Sequence, residues 1–156
     1  MAITQKNKEQ IVAFILEQQA SSGNKRCISH TKFQNDLSMI SAEIVSSVVK
    51  DLEAEGAVKV KREGMFIHPY KFSSVRMTLI GWQKYASSVL SINIQKDEII
   101  VSEYIRTHSP VNISSINSDL DLSPLQIDFA IDHLESQGKV TCNRREHPLT
   151  LTWIGQ

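Results

Sequence analysis

The spacing of apolar residues changes from a helical to a strand period near the middle of the chain. Between Ser41 and Gly56, valine, isoleucine and leucine recur at helical spacing, which predicts an amphipathic helix. Ser41 is a suitable N-cap, and Gly56 is a suitable stop because glycine adopts the left-handed conformation at little cost. The following AVKVKREG alternates apolar and basic residues, as a strand with one face in water does. Gly64 permits a reversal into a second β-rich run, SSVRMTLI, which ends at Gly81.

The residues before this motif predict two further helices and a short strand. Residues 6–19 and residues 31–37 have helical patterns, and residues 27–29 between them have the length of a short strand. Phe33 and Leu37 are expected to face inward from the second helix. The core positions expected on the first helix are Ile11, Phe14 and Ile15, with Val12 at the margin, and those on the helix after Ser41 are Ile44, Val45, Val48, Val49 and Leu52.

From about Gln95 the same order of elements returns in divergent form, as a comparison of LEAEGAVKV with LESQGKVTC indicates. Ser123, Pro124 and Gln126 predict a strong helix start with a capping box, and Gly138 is expected to end that helix. The expected elements are helices at residues 97–108, 114–120 and 123–137, a short strand at residues 111–113, and a hairpin of KVTCN and LTLTWI around RREHP. The inward positions expected on the helix of residues 97–108 are Ile99, Ile100, Tyr104 and Ile105.

The run from Val48 to Gly81, with VVKDLEAEGAVKVKRE followed by RMTLIGWQKY, resembles the recognition helix and wing of winged helix-turn-helix regulators of the MarR and PadR type. The resemblance implies a mainly α fold with small β-hairpins (α+β). Together with the internal repeat, it predicts two tandem winged-helix domains joined by a helix. The expected divisions are a first domain at residues 1–80, a linker helix at residues 81–94 and a second domain at residues 95–156.

A narrow apolar seam runs along the predicted linker helix. Its members are Trp82, Tyr85, Val89 and Ile92. No proline or glycine lies between Gly81 and Pro110, so this helix could continue into the next one. Two explanations of the seam stay open: it packs on its own domain, or it pairs with a second copy, as dimerisation helices do in the families that the chain resembles.

The net charge of zero argues against a simple polycation, but the charge is unevenly distributed. Residues 1–90 contain 12 Lys and Arg against 8 Asp and Glu, which gives +4. Residues 91–156 contain 5 against 9, which gives −4. The two halves are therefore expected to have different partners.

Several functional classes find little support in the sequence. No apolar run is long enough to cross a bilayer and the segment MAITQKNKEQ is polar, so a cytoplasmic location without a membrane partner is expected. Cys27 and Cys142 are expected to be small buried residues outside any disulfide framework. Cys27 and His30 form the only close Cys/His pair, and two ligands do not make a zinc site. No phosphate-binding glycine loop or nucleophile elbow is present, so we expect no enzyme, no metal and no cofactor.

In the first domain, the side of the third helix opposite its core is small and polar, and the hairpin after it is basic. Such a helix can enter a major groove while the basic residues, with Lys25 and Arg26 nearby, contact phosphates. The predicted DNA-binding residues are Lys32, Ser41, Ser46, Ser47, Lys50, Lys59, Lys61, Arg62, Lys71 and Arg76. Glu43 weakens this interpretation, since phosphates repel a carboxylate unless it binds a cytosine amino group. The alternative is that these cations are ordinary solvated charges.

In the second domain, the equivalent helix is expected to have two different sides. Leu125 and Phe129 are expected to project away from the core side, beside acidic residues, which is unsuited to DNA and typical of a protein contact. The alternative is that both pack against the linker helix or the first domain. The expected core side consists of Ile127, Ala130, Ile131 and Leu134. The predicted protein-interface residues are Trp82, Tyr85, Val89, Ile92, Leu125 and Phe129.

These features favour a cytoplasmic, sequence-specific protein that binds double-stranded DNA. We expect a transcriptional regulator that acts as a homodimer or with a protein partner bound through the second domain. Two alternatives stay open. Tandem winged helices also serve as protein–protein interaction scaffolds without nucleic-acid binding, which the zero net charge favours. A plasmid or phage replication or partition protein would use the same DNA-binding chemistry on another target.

Overall fold

The computed structural model describes residues 4–63 and 69–155, and the chain divides into two compact units between Ile92 and Asn93. Among the described residues, helices account for 56% and strands for 14%, so the predicted mixed α+β class is confirmed at this level. No charged residue lies at positions 91 or 92. The two units therefore carry the +4 and −4 of the two halves of the sequence.

The described part of the first unit has four helices and a small antiparallel sheet. Its elements are α1 (Gln5–Gln19), β1 (Ile28–Ser29), α2 (His30–Asp36), α3 (Ala42–Ala54), β2 (Val58–Lys61), β3 (Ser74–Met77) and α4 (Leu79–Leu90). The strands lie in the order β1-β3-β2. Val60 pairs with Val75, and Lys59 pairs with Arg76. The predicted hairpin is thus confirmed in its two strands, while the reversal predicted at Gly64 lies outside the described residues.

Helix α3 begins and ends as its sequence predicts. The Ser41 hydroxyl accepts a hydrogen bond from the backbone N–H three residues later, at 3.2 Å. At the other end Gly56 has a φ of +77°. The N–H groups of Gly56 and Ala57 donate to the carbonyls of Glu53 and Leu52, at 3.0 and 2.9 Å. These two bonds form a Schellman motif, which satisfies carbonyls that a helix end leaves free.

The core of the first unit combines aliphatic stripes from α1 and α3 with aromatic rings. The ring of Phe33 lies 4.9 Å from that of Phe14 and 5.4 Å from that of Phe72, in the tilted and edge-to-face geometries that aromatic pairs favour. Burial of each such side chain contributes about 1.5–3 kcal/mol. The apolar residues of α1 and α3 without exposed surface are Ile11, Val12, Ile15, Leu16, Val45, Val48 and Leu52. The apolar stripes predicted for these helices are confirmed except at Ile44, which is only half-buried.

Glu55, at the end of α3, binds side chains from two other helices. Its carboxylate accepts hydrogen bonds from Lys8 of α1 at 2.7 Å and from the Tyr85 hydroxyl of α4 at 2.6 Å, and Lys84 also pairs with it. Partial burial opposes ionisation of this carboxyl, but the three donors outweigh it and lower the pKa of Glu55 from 4.5 to about 2. This cluster joins α1, α3 and α4 through one charge.

Helix α4 differs from the predicted linker helix at both ends. It begins at Leu79, because the Thr78 hydroxyl caps it by accepting from the Gly81 N–H at 3.1 Å. Residues 79 and 80 were expected to end a strand and instead form the first turn of a helix. The helix ends at Leu90, where Ser91 takes a left-handed φ of 57°. A continuous helix into the next segment, one option left open by the sequence, is therefore wrong.

The second unit repeats the order of elements from α1 to β3, and no counterpart of α4 follows among its described residues. Its elements are α5 (Ile94–His108), β4 (Val111–Asn112), α6 (Ile113–Asp119), α7 (Pro124–Ser136), β5 (Val140–Asn143) and β6 (Thr150–Trp153). The strands lie in the order β4-β6-β5, which is the topology of the first sheet. Ser123 and Gln126 exchange hydrogen bonds of 3.2 and 3.0 Å, so the predicted capping box is confirmed.

One predicted core face of the second unit is partly wrong. Ile99 is 64% exposed, and Ile100 and Tyr104 are only half-buried. Ile105 is fully buried as predicted, and Val101, which was not predicted, is also fully buried. Two consecutive isoleucines suggest the centre of a stripe, but the buried stripe follows the four-residue spacing of Val101 and Ile105.

Two further expectations from the sequence concern the burial of the cysteines and the absence of membrane-spanning helices. Cys27 and Cys142 are free thiols, and both are half-buried, less than predicted. Burial raises the pKa of the Cys142 thiol to about 11, so this thiol is a weak nucleophile near neutral pH. Within the described ranges, no helix has both the length and the apolar character that a bilayer span requires.

We predict that Gly81→Ala destabilises the protein by about 1–3 kcal/mol, as overpacking a tight contact does. A β carbon at Gly81 would overlap the backbone carbonyl of Ala57 and the sulfur of Met77, and a backbone group has little room to move. Denaturant unfolding measures the change. Ser87→Ala, at an exposed position of the same helix, is the control and should change stability by less than about 0.5 kcal/mol. A Gly81→Ala protein as stable as wild type would contradict the close approach.

Glu55→Gln should lower stability at pH 7 by about 1–2 kcal/mol, after allowance for solvent screening of a partly exposed group. Because the pKa of Glu55 is lower in the folded state, its contribution is complete above about pH 4.5 and disappears as the pH falls towards 2. The gap in melting temperature between wild type and variant should therefore close between pH 5 and about pH 2. Glu17→Gln, on the exposed side of α1, is the control. A gap of equal size at both ends of this range would refute the assignment.

Candidate nucleic-acid interface

A groove of about 680 Å³ separates the outer side of α3 from residues that lie between the two strands of the hairpin. Helix α3 contributes five residues, of which those at positions 43, 46, 47 and 50 share one side of the helix and the fifth is Val49. The complete lining is Glu43, Ser46, Ser47, Val49, Lys50, Arg62, Pro69, Lys71 and Phe72. The groove therefore lies where the sequence predicts the open face of this helix, and it is bounded by residues of both the helix and the hairpin.

Five of the ten predicted DNA-binding residues line this groove. They are Ser46, Ser47, Lys50, Arg62 and Lys71. The other five, which lie outside the lining, are Lys32, Ser41, Lys59, Lys61 and Arg76. In each set, two residues have polar side-chain groups that are already bound within the protein.

The hydroxyl of Ser46 already forms a hydrogen bond within the protein. Ser46 is 9% exposed, and its oxygen accepts a hydrogen bond from the backbone N–H of Lys71 at 3.0 Å. The expectation that Ser46 lies on an open surface is therefore wrong. The bond ties the segment before β3 to the middle of α3, so it fixes one wall of the groove against the other.

Arg62 is held by an acidic residue of α3. Its guanidinium donates two hydrogen bonds to the carboxylate of Glu53, at 2.5 and 2.9 Å. Hydrogen bonding lowers the pKa of Glu53 and raises that of Arg62. Arg144 makes the same paired bonds to Glu135, at 2.6 and 2.8 Å. We call these two pairs the Glu–Arg clasps.

The clasps recur at the same spacing in both units, nine residues apart and 82 residues from one copy to the next. Gly56 and Gly138, which end the two third helices with positive φ, are also 82 residues apart. The clasp is therefore part of the repeated scaffold, joining the third helix to the residue after the first hairpin strand. Comparison of the two repeats could have revealed it, because Glu-x8-Arg occurs at the same place in each.

Two more predicted residues have local roles. Ser41 is the N-cap of α3, as its hydrogen bond to the first turn establishes. Lys32 pairs with Asp36 one turn along α2, at 3.0 Å. Ser41 and Lys32 are both exposed. An exposed ion pair such as that of Lys32 and Asp36 contributes a few tenths of a kcal/mol to stability. Neither Ser41 nor Lys32 lines the groove.

Lys59, Lys61 and Arg76 form what we call the cationic sheet face. Lys59 pairs directly with Arg76 across the two strands, and Lys61 is on the same face two residues along β2. Within residues 4–63 and 69–155, no carboxylate pairs with any of the three. Like charges opposite one another destabilise a sheet, so this face favours an anionic ligand. Because Lys61 precedes Arg62, the cationic sheet face adjoins the groove.

The second unit has neutral residues at the matching sheet positions. Thr141 pairs with Thr152, and Asn143 pairs with Thr150. These residues replace the Lys59–Arg76 pair and the Lys61–Ser74 pair of the first sheet. Its hairpin is also shorter, with six residues between the strands against twelve in the first unit. The cationic sheet face is therefore specific to the first unit and is not part of the repeated scaffold.

The third helix of the second unit also lacks the open polar side. With the 82-residue offset, Leu125, Asp128, Phe129 and Asp132 replace Glu43, Ser46, Ser47 and Lys50. Leu125 and Phe129 are only 1% and 2% exposed. The prediction that they form an exposed protein interface is wrong, because α7 is buried on two sides and not on one.

The predicted seam on α4 is also largely covered. Trp82 and Tyr85 are 2% and 7% exposed, while Val89 and Ile92 are half-buried. The Tyr85 hydroxyl binds Glu55 of the same unit, which agrees with packing on its own domain. The expected interface therefore loses its two aromatic members as accessible contacts.

In the part of the chain that the structure describes, no group of three or more His, Cys, Asp or Glu side chains is arranged to hold a metal ion. Comparison with protein-family models, with curated proteins and with solved structures gives no match to this chain.

We predict that Ser46→Ala costs about 1–2 kcal/mol of stability, because it leaves the Lys71 N–H without its acceptor in a partly buried position. The neighbouring Ser47→Ala makes the same chemical change on the same helix, so helix propensity cancels in the comparison. Urea unfolding of the two variants measures the difference. Equal stability of Ser46→Ala and Ser47→Ala would mean that the Lys71 N–H bond contributes nothing.

Proposed function

We propose that this protein is a tandem winged-helix DNA-binding protein, a transcriptional regulator that contacts double-stranded DNA through its first unit. The cationic sheet face carries the proposal. Lys59 and Arg76 oppose each other without a carboxylate partner among the described residues, an arrangement that costs stability unless an anion binds there. Duplex DNA presents one phosphate charge about every 1.7 Å along its axis, and lysine and arginine neutralise such charges.

The proposed docking follows from the relation of the helix to the hairpin. The outer side of α3 enters a major groove, and the hairpin contacts the adjoining backbone. Lys50 and Lys71 line the groove beside α3, and no ion pair engages either of them in the described parts of the chain. Lys59, Lys61 and Arg76 extend the positive charge along the sheet. Arg62 contributes less, because its clasp already satisfies its charge.

We propose that the second unit does not contact the DNA. Its net charge is −4, its sheet carries threonine and asparagine at the matching positions, and its single clasp arginine, Arg144, is bound to Glu135. A surface of this composition repels a polyanion. The same scaffold therefore presents a nucleic-acid face in one copy and none in the other.

A second candidate function is a protein scaffold without nucleic-acid binding. Ile99 of α5 favours it, since this side chain is 64% exposed beside a shallow depression of about 200 Å³ that also includes Leu134. An exposed apolar side chain at a depression is a common feature of protein contacts. The zero net charge of the chain is compatible with this alternative. Absence of duplex binding at low salt would favour it over the first proposal.

The double variant Lys59→Ala/Lys61→Ala should bind a mixed-sequence duplex at least about tenfold more weakly at low salt. The slope of log affinity against log salt should fall by up to about 2, since two phosphate contacts are lost. Fluorescence anisotropy at several salt concentrations measures both quantities.

The matched control is Lys96→Ala/Lys139→Ala, which removes two exposed lysines from the second unit. It should leave both the affinity and the slope within experimental error of wild type. If the two double variants weaken binding equally, the positive charge acts without a defined site and the assignment to the cationic sheet face is wrong.

A further inference from the structure

The groove contains one acidic residue whose position the proposed function does not explain. Glu43 lines the groove in the first turn of α3, beside Lys50 and Lys71. No hydrogen bond or ion pair engages its carboxylate anywhere in the described ranges. Phosphates repel such a group, so a nucleic-acid ligand must offer it a hydrogen-bond donor or lose affinity.

The other residues of the lining leave few side chains free to contact a base. Ser46 is bonded to the Lys71 N–H, and Arg62 is bound by Glu53. Val49 and Phe72 are each only 1% exposed. The polar side chains of α3 that remain available are those of Glu43, Ser47 and Lys50, at positions i, i+4 and i+7 of one helix face.

These three residues span a distance suited to base recognition. Seven residues of α-helix rise about 10 Å, which corresponds to about three base-pair steps of 3.4 Å. The N-terminal residues of a recognition helix are those that meet base edges in the major groove. In that groove a carboxylate accepts from the cytosine N4 amino group, and lysine donates to guanine O6 and N7.

We infer that Glu43 determines specificity by binding a cytosine, and that Lys50 binds a guanine about three base pairs away. The inference rests on the proposed function and adds a sequence preference to it. Helix stability alone does not require an acid here, because the matching residue of α7 is Leu125 in a helix of the same length. A carboxylate with a purely structural role in the first turn would stabilise the helix by interacting with its dipole. Its removal would then leave the base preference unchanged.

The experiment is selection from a library of duplexes with a randomised central segment, using wild type, Glu43→Gln and Asp51→Asn. Asp51 is an exposed carboxylate of the same helix outside the groove lining, so its amide variant controls for the change in charge. Wild type and Asp51→Asn should enrich the same sites, with a cytosine and a guanine about three positions apart. In the sites selected by Glu43→Gln, the enrichment of cytosine at that position should fall by about tenfold. Adenine should be enriched there instead, because glutamine pairs with adenine N6 and N7.

The outcomes separate this inference from the proposed function. If wild type binds duplex DNA but Glu43→Gln enriches the same sites, the readout by Glu43 is wrong and the DNA-binding proposal stands. If Glu43→Gln binds all sequences more tightly by the same factor, the carboxylate acts only by repulsion and the inference is again wrong. If wild type binds no duplex at low salt, both proposals are wrong. Urea unfolding of each variant confirms that the compared proteins are folded.

Discussion

The junction between the third helix and the hairpin is the constraint on which each unit depends. In both copies the helix ends at a glycine with positive φ, and two backbone hydrogen bonds of 2.9 to 3.0 Å close a Schellman motif around it. A Glu–Arg clasp then spans from the last turn of the helix to the residue after the first hairpin strand. These contacts set the direction in which the hairpin leaves the helix. In the first unit, the groove is lined by α3 and by residues between the two hairpin strands.

Because the scaffold is the same in both units, their differences can be assigned to surface residues. The first unit places Lys59 against Arg76 on its sheet, and the second places Thr141 against Thr152 at the matching pair. Opposed cations are unfavourable in isolation, and no carboxylate among the described residues pairs with these two, whereas Lys8 of the same unit is paired with Glu55. The proposed role in DNA binding follows from this imbalance.

The sequence predicts the regular parts of the fold well, because short-range chemistry determines them. The N-caps at Ser41 and Ser123, the stop at Gly56 and the buried stripe of α3 all follow from local rules. The start of α4 was not predicted, since Leu79 and Ile80 have strand propensity and only the cap at Thr78 decides between helix and strand. The exposed Ile99 was missed for a similar reason, because the choice of buried face depends on packing partners.

The candidate site was harder to predict, because polar groups can be bound internally in ways that spacing does not reveal. Ser46 and Arg62 look available in the sequence, yet one accepts from the Lys71 backbone and the other is held by Glu53. Leu125 and Phe129 look exposed on a helical wheel but are buried, since that construction assumes a single covered face. Charge in the sequence was a sufficient guide only for the lysines that form no ion pair among the described residues.

The central claim is that only the first unit presents an anion-binding face suited to duplex DNA. Chemical-shift mapping of the labelled full chain, titrated with a mixed-sequence duplex at low salt, tests it most directly. We expect the amide resonances of Lys50, Lys59, Lys61, Lys71 and Arg76 to shift. Those of residues around Thr141, Asn143 and Thr152 should stay unchanged. Shifts centred on the second sheet, or no shifts at all, would contradict the central claim.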